Sequence, residues 1–350
     1  MAKLSNQVRV GVLGASGYTG ADLVRLLVAH PDATISLMTA DRHAGKPMDA
    51  VFPHLGGHRL PDLVKVDDAD WGQCDVVVCG LPHGTTQEII ASLPRSLKVV
   101  DMSADFRLRN IDTYAEWYGH EHRAPELQLD AVYGLTEHYR DTIAKARLTA
   151  CPGCYPTAAL LLLIPLIAGQ LVDVDDVVID AKSGASGAGR GLKEAMLFGE
   201  VAEGLHPYSI ASHRHAPEIE QELSVAAGHD VIINFTPHLI PMNRGELLTT
   251  YVRLAKGVTA ADLRRALSER YAKEPFVRVV DEGVVPATRH VRGSNHCLLA
   301  VFEDRIPGRA ILISTLDNLV KGSSGQAIQN MNLMFNLPEA TGLEQAPMFP

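Results

Sequence analysis

Val8-Arg9-Val10-Gly11-Val12-Leu13 runs straight into Gly14-Ala15-Ser16-Gly17-Tyr18-Thr19-Gly20, and apolar residues at Leu23, Leu26 and Leu27 follow. The β-branched run reads as a strand, the glycines as a turn, and the spaced leucines as one face of a helix. Such a turn brings main-chain N–H groups and the positive end of a helix against a pyrophosphate, while its glycines let the ligand come close. The spacing, G-x-x-G-x-x-G, is a variant of the usual dinucleotide fingerprint. A tight turn that holds no ligand shares this pattern, so the chain beyond it has to decide.

Working outward, the same unit recurs. Thr34 to Met38 reads as a second strand and ends in Thr39-Ala40-Asp41-Arg42-His43, where a dinucleotide-binding unit meets the adenosine ribose. Asp41 there favours NAD through a 2′-hydroxyl, and Arg42 favours NADP through a 2′-phosphate. Asp75 to Cys79 is a third strand, followed by Gly80-Leu81-Pro82-His83-Gly84 and a helical stretch from Thr85 to Leu93. Val99 to Met102 is a fourth and ends in Ser103-Ala104-Asp105-Phe106-Arg107. Strands and helices alternating in this way predict an α/β fold with a doubly wound parallel sheet, whose ligands sit beyond the carboxyl ends of the strands. Arg107 is then a candidate for an anionic substrate group, with a surface ion pair as the plainer alternative. Residues 110 to 147 read as polar, aromatic and irregular, with a turn at Tyr133 to Glu137.

Cys151-Pro152-Gly153-Cys154-Tyr155-Pro156-Thr157 stands between the short apolar run Leu148 to Ala150 and the long one from Ala158 to Ile167. It reads as a turn feeding a helix, with Pro156 in the first turn. A cysteine at that point faces unpaired N–H groups and the positive helix end, which favour the nucleophilic thiolate. Cys154 fits this role, and Cys151 reads as an apolar residue at the strand end. A redox pair or a zinc half-site would share the C-x-x-C spacing, but the five cysteines include no second such pair.

Downstream, the pattern changes. Val177 to Ala181, Val231 to Leu239, Leu247 to Leu254, Phe276 to Val280, Cys297 to Phe302 and Ala310 to Ser314 read as strands with one helix, Thr259 to Tyr271, among them. That predicts a second domain built on a mixed sheet, with one face on helices and the other on a partner subunit. Three of its loops carry polar chemistry. Ser183-Gly184-Ala185-Ser186-Gly187-Ala188-Gly189-Arg190 suits an anion, or is a linker. His213-Arg214-His215 offers an acid/base, and histidines two apart do not share a helix face, so one of them is expected to serve. Pro241-Met242-Asn243-Arg244-Gly245 presents Arg244 to a carboxylate or phosphate. The last segment, Ser314 to Gln326, leads into a helix to about Asn336 and returns the chain to the first domain. The expected domains are residues 1–150 plus 315–350, and 151–314.

Composition narrows the class. At 350 residues, 46% hydrophobic and 21% charged, the chain can bury a substantial core and is not disordered. A net charge of -9 leaves no basic surplus for nucleic acid. Met1 to Gln7 contain no signal-peptide core, and the longest apolar run is broken by Pro165, so neither export nor a membrane span is expected. An odd number of cysteines fits reduced thiols and a cytoplasmic setting. No spacing of ligands points to a metal.

The ensemble GASGYTG, LPHG, SADFR, PGCYPT, KSGASGAGR, HRHAPEIEQ, PMNRG and DNLVKGSSGQAIQNMN, in this order over nearly the whole chain, closely resembles the N-acetyl-gamma-glutamyl-phosphate reductase family of arginine biosynthesis. The resemblance implies a Rossmann-type domain completed by the C-terminal helix, and a second α/β domain for catalysis and dimerisation, as in the phosphorylating aldehyde dehydrogenases. It implies NADPH-dependent reduction of N-acetyl-L-glutamyl 5-phosphate to the semialdehyde plus phosphate through a Cys154 thioester, with His213 or His215 as acid/base. It places the cofactor on Gly14, Ser16, Gly17, Tyr18, Thr19, Gly20, Thr39, Arg42, Leu81, Pro82, Ser186, Gly187 and Asn318. Substrate contacts are expected from Ser103, Arg107, Gly153, Ser183, Arg190 and Arg244, and a homodimer or homotetramer from the second domain. The chain has Cys151 where the family usually has Asn, which raises a Cys151–Cys154 disulfide under oxidation. It has Ala40-Asp41 where Ser-Arg is common, which keeps NAD beside NADP. Reductases of carrier-bound aminoadipyl phosphate or aspartyl phosphate, and a non-catalytic dinucleotide-binding regulator, are the alternatives.

Overall fold

A computed structural model of the chain describes residues 7–350, so the reading of the first six lies outside the described residues. Two compact units emerge, and the chain passes from one to the other between Pro152 and Gly153 and back between Gly322 and Ser323.

The first unit holds the described residues through Pro152 together with Ser323–Glu344. Its strands are β1 (Val8–Leu13), β2 (Ala33–Thr39), β3 (Leu63–Val64), β4 (Val76–Cys79), β5 (Lys98–Asp101), β6 (Ala131–Tyr133) and β7 (Leu148–Ala150). They form one parallel sheet in the order β3-β2-β1-β4-β5-β7-β6. Val10, Val12, Val76 to Cys79, Val99 and Val100 are all fully buried. Continuous apolar strands of this sort belong to sheets covered on both faces. The helices α1 (Tyr18–Leu27), α2 (Thr86–Ser92), α3 (Ile111–Tyr118), α4 (Pro125–Gln128) and α5 (Thr136–Ile143) follow β1, β4, β5 (both α3 and α4) and β6, whereas β2, β3 and β4 are joined without an α-helix. From β1 the chain goes outward to β2 on one side and resumes at β4 on the other. That reversal is a switch point, and the turns after β1 and β4 lie there side by side, tied by Gly80 N donating to Leu13 O at 2.8 Å.

Residues 110–147 are ordered elements, contrary to the irregular stretch expected. Asn110 caps α3 by accepting from the N–H groups of Asp112 and Thr113 at 2.8 and 3.1 Å, and Gly119 ends it with φ +78°. Those two signals were in the sequence.

The second unit is Gly153–Gly322 with Gln345–Pro350. Its helices are α6 (Cys154–Ala168), α7 (Phe198–Val201), α8 (His215–Ala227) and α9 (Ala260–Tyr271). Its strands are β8 (Val172–Gly184), β9 (His206–Pro207), β10 (Asn234–Ile240), β11 (Glu246–Leu254), β12 (Val277–Val279), β13 (Cys297–Glu303) and β14 (Arg309–Leu316), ordered β12-β13-β14-β11-β8-β10-β9. β10 and β12 run parallel to their neighbours β8 and β13, whereas β8, β11, β14 and β13 pair antiparallel in turn, so the sheet is mixed. α6 is apolar on every side, with Leu160 to Leu163 fully buried, and the Tyr271 hydroxyl donates to Leu161 O at 2.6 Å. Along β11, Glu246, Leu248, Thr250 and Val252 are buried while Leu247, Thr249 and Tyr251 stay half-exposed. The period of two gives the sheet a covered and an open face.

The return to the first unit starts later than residue 315. β14 carries Leu316 inside the mixed sheet, and the chain crosses only at Ser323 before α10 (Gly325–Met334). The last six residues also belong to the second unit, where Met348 N donates to Arg292 O at 2.8 Å. Among the described residues no helix is long and apolar enough to cross a membrane.

Candidate active site

In the first unit, the turn after β1 is held by Thr39, whose hydroxyl accepts from Gly14 N at 3.2 Å while its carbonyl accepts from Ala15 N at 2.9 Å. Thr39 therefore fixes the turn, and its hydroxyl is taken up in doing so. Gly14 has φ +85°, and a Cβ there would stand 3.0 Å from both Gly80 O and the Leu81 side chain. A Cβ on Gly20 would be 2.5 Å from Gly14 O, so this glycine lets helix pack on turn. Gly17 differs: it caps α1 with φ -82°, no side chain closes the helix end, and a Cβ would find only Gly14 O, at 3.7 Å. Ser16, Tyr18 and Thr19 border this bare end, with no acidic residue in the first turn. Unpaired N–H groups facing open space suit a pyrophosphate. At the end of β2, Asp41 accepts from Val66 N at 3.1 Å, whereas Arg42 is exposed and makes no hydrogen bond or ion pair among the described residues.

The loop after β5 is a buried polar network. Ser103 Oγ donates to Asp101 Oδ2 at 2.8 Å and accepts from Asp105 N at 3.1 Å. Arg107 is 5% exposed and donates from Nε to Cys151 O at 2.7 Å and from Nη2 to Met102 O at 2.9 Å. Both residues, expected at the substrate, here brace the ends of β5 and β7. Burial, with the Asp105 charge nearby, pushes the Asp101 carboxyl up to about 7. Cys151 is fully buried in this unit, and Asn330 Nδ2 donates to its Sγ at 3.4 Å. Both cysteines of the C-x-x-C are free thiols.

In the second unit Cys154 is the first residue of α6, behind Gly153 as cap, and it alone of the five cysteines is not buried. Side chains crowd this helix start. Glu218 Oε1 accepts from Gly153 N at 2.8 Å, and a Cβ on Gly153 would overlap His215 Nε2. His215 and Glu218 lie three apart on α8, hence on one face, which is aimed at the turn. A Cβ on Gly322 would come within 2.7 Å of Cys154 Cβ. The Glu246 carboxyl is fully buried on the covered face of the sheet with neither oxygen hydrogen-bonded among the described residues, and burial, partly offset by the Cys154 thiol nearby, pushes it up to about 8. His213 takes another part: its Nδ1 accepts from His215 N at 3.1 Å, and burial, helped by the Arg214 charge, pushes it down to about 4. It packs edge-on against Tyr155, whose hydroxyl meets that of Tyr208 at 3.0 Å. Of the expected pair, His215 is the one set against the cysteine.

The glycine-rich loop after β8 docks on the turn before β11, where Gly184 N donates to Gly245 O at 3.0 Å and Ala185 N to Met242 O at 2.8 Å. Asn318 clasps both, accepting from Gly245 N at 2.8 Å and donating to Ser186 Oγ at 2.9 Å, with Gly187 beside it. Ser183 is buried at the end of β8, and Arg190 is exposed past Gly189. Arg244 lies 3.5 Å from Asp317, a buried carboxylate that also accepts from Gly293 N at 2.7 Å. Sequence reading missed Glu218, Glu246 and Gly322. Glu218, four residues beyond Arg214 in a helical stretch, could have been found by its spacing from His215. Glu246 and Gly322 carry no local signal.

Comparison with known proteins agrees in both units. Residues 9–146 match the family model described as semialdehyde dehydrogenase, NAD binding domain, and residues 154–318 match the semialdehyde dehydrogenase dimerisation domain. A rice protein named probable N-acetyl-gamma-glutamyl-phosphate reductase, chloroplastic, is 61% identical over 99% of this chain and 84% of its own length. The N-acetyl-gamma-glutamyl-phosphate reductase of Rhodospirillum rubrum is 58% identical over 99% of this chain and all of its own. Among solved structures, aspartate semialdehyde dehydrogenase II of Vibrio cholerae, complexed with ASA, superposes with a TM-score of 0.71 over 95% of this chain and 99% of its own at 16% identity. The Candida albicans enzyme with NADP gives 0.68 over 94% and 98%, also at 16%. At that identity the likeness concerns the fold. With near full-length identity well above that level and both domain models matched in order, this chain belongs to the N-acetyl-gamma-glutamyl-phosphate reductase family of semialdehyde dehydrogenases.

Proposed function

We propose that the chain reduces N-acetyl-L-glutamyl 5-phosphate with NADPH to N-acetyl-L-glutamate 5-semialdehyde and phosphate, as a step of arginine biosynthesis. The observation that carries this reading is Cys154 at the start of α6 with His215 against its cap, in a chain of this family. Cys154 attacks the acyl carbon, the first N–H groups of α6 stabilise the oxyanion, and phosphate leaves a thioester on sulfur. A bound nicotinamide supplies the hydride. His215 Nε2 delivers the proton to the resulting thiohemiacetal oxygen and takes it back as the C–S bond breaks. His213 stays neutral and orients the start of α8.

The bare end of α1 fits a dinucleotide pyrophosphate, with Gly14 to Gly20, Leu81 and Pro82 around it. Arg42, uncommitted among the described residues, supports a 2′-phosphate and so NADP, while Asp41 is already engaged with Val66 N. Ser183, Arg190 and Arg244 of the second unit are assigned to the substrate's anionic groups. The match to a dimerisation domain, with the open sheet face, supports a homodimer or homotetramer. Five unbridged cysteines support a reducing compartment such as the cytoplasm. The test is turnover of N-acetyl-L-glutamyl 5-phosphate with NADPH, beside NADH and beside aspartyl phosphate and carrier-bound aminoadipyl phosphate. Preference for either other acyl phosphate would replace the reading.

A further inference from the structure

Directly after β14 comes Asp317, a wholly buried acid. Its Oδ1 accepts from Leu319 N at 2.9 Å and Val320 N at 3.3 Å, and its Oδ2 accepts from Gly293 N at 2.7 Å. Its main-chain carbonyl accepts from Val320 N at 3.1 Å and from Gly322 N at 3.0 Å. The last bond reaches back five residues, and the chain is π-helical from Val320 onward. Single π-turns are uncommon and gather at functional sites. A carboxylate out of water needs donors, and here they come from its own turn and from the loop before β13, so the acid fixes the shape of that turn. Arg244 Nη1, 3.5 Å from Oδ1, is the cation that faces it.

The turn is shaped against Cys154. A Cβ on Gly322 would lie 2.7 Å from Cys154 Cβ, 3.1 Å from its Cα and 3.2 Å from the Leu316 side chain. Carbon atoms in contact stand at about 3.5–4.0 Å, so no side chain fits there. Gly322 also lies outside the left-handed region, so its backbone conformation does not ask for glycine. The approach to Cys154 does. On the other side of the same cysteine turn, α8 brings His215 and Glu218 to Gly153.

Resting on the reading of Cys154 as nucleophile, we infer that Asp317 and Gly322 are positioning residues for its side chain. Asp317 folds the π-turn, and the turn lays the bare main chain of Gly322 against Cys154 Cα and Cβ. Held between this turn and α8, the start of α6 keeps the sulfur where it can attack. A nucleophile displaced by about 1 Å can lose about 10²-fold in rate, so a stop built from main chain, which has no rotamers, suits the task. The acid acts at a distance, through the turn, and does not itself touch the sulfur.

The experiment compares wild type, Gly322→Ala and Asp317→Asn in steady-state kinetics and in the rate of iodoacetamide alkylation, located at Cys154 by peptide mass spectrometry. Gly322→Ala is expected to lower kcat by about 10- to 100-fold and to change the alkylation rate by about 3-fold or more, with the KM for the dinucleotide unchanged. Asp317→Asn keeps one carbonyl oxygen for Leu319 N and Val320 N but loses the acceptor for Gly293 N, so the same changes are expected at about 3- to 10-fold in kcat. An unchanged alkylation rate in Gly322→Ala, whatever its kcat, would overturn the inference and leave Cys154 as nucleophile. So would a loss of dinucleotide affinity as large as the loss of kcat, which marks a general loosening. Absence of selective labelling at Cys154 in wild type would remove the nucleophile reading, and the positioning role with it. Should neither variant fold, amide hydrogen exchange of wild type decides: alkylation of Cys154 must change the protection of Leu319 to Gly322, and unchanged protection there would overturn the inference.

Discussion

Two helices begin behind a glycine cap, and they begin differently. Gly17 leads into α1 with open space around it and no side chain on the helix end, whereas Gly153 leads into α6 with Glu218 on its N–H, His215 over its Cα and the buried Glu246 carboxyl in the neighbourhood of the next residue. A bare helix end receives an anion made elsewhere, and its glycines matter for approach. A fenced one makes an anion of its own, and its glycine matters because the fence leaves no room. Binding and chemistry thus draw on the same dipole, with the surrounding side chains deciding which is done.

The largest effect that would break this contrast is at His215. His215→Gln is expected to lower kcat by about 10²- to 10⁴-fold, the usual worth of an acid/base, while His213→Gln costs about 10-fold or less by loosening the start of α8. Steady-state kinetics that reverse the order would give His213 the proton transfer.

Gly153→Ala and Gly17→Ala apply one methyl group to each cap. The first is expected to displace His215, lowering kcat and costing about 1–3 kcal/mol of stability, an overpacking penalty. The second should leave stability within about 0.5 kcal/mol, since its φ suits any residue and its Cβ is open, and should raise the KM for the dinucleotide. Chemical denaturation with kinetics checks both, and equal responses would erase the distinction between the two caps.

Arg42→Ala is expected to weaken NADP by about 10- to 100-fold, the loss of a charge-assisted hydrogen bond, and to leave NAD binding unchanged. Fluorescence titration with both reduced cofactors measures it.

The smallest effect is a slope. Glu246 ordinarily ionises near 4.5 and in the fold near 8, so between those values the folded chain keeps a proton the unfolded chain gives up. Stability from this group is full below about pH 4.5 and falls as pH rises towards 8, by an amount on the order of a few kcal/mol. Glu246→Gln should remove that decline, as denaturation at pH steps would record.

These two helix starts were not equally legible. The β1 strand, glycine turn and spaced leucines of α1 carry their periods and their backbone demands in adjacent residues, so local reading reaches them. Cys154 was legible for the same reason. Its fence was not, because His215, Glu218, Glu246 and Gly322 come from α8, β11 and the segment after β14, and only sheet register and helix packing bring them together. Glu246 is the extreme case. At the head of β11, after a turn, a glutamate reads as exposed, and Glu246-Leu247-Leu248-Thr249-Thr250 mixes polar and apolar residues on both faces. Ser103, Arg107 and Thr39 show the converse: polar residues at strand ends looked like ligand contacts, and the structure has them holding loops through hydrogen bonds that spacing cannot reveal. The α3 cap at Asn110 is local too, since its side chain accepts from N–H groups two and three residues on, yet the polar and aromatic residues behind it carry no clear helical period.

The most direct test of the account is the reverse reaction: N-acetyl-L-glutamate 5-semialdehyde, phosphate and NADP with wild type and Cys154→Ser, following reduced cofactor. The account predicts phosphate-dependent reduction of NADP by wild type and its loss in the serine variant while cofactor binding persists. A folded, cofactor-binding wild type that leaves this aldehyde untouched, or a serine variant that keeps turning it over, would contradict it.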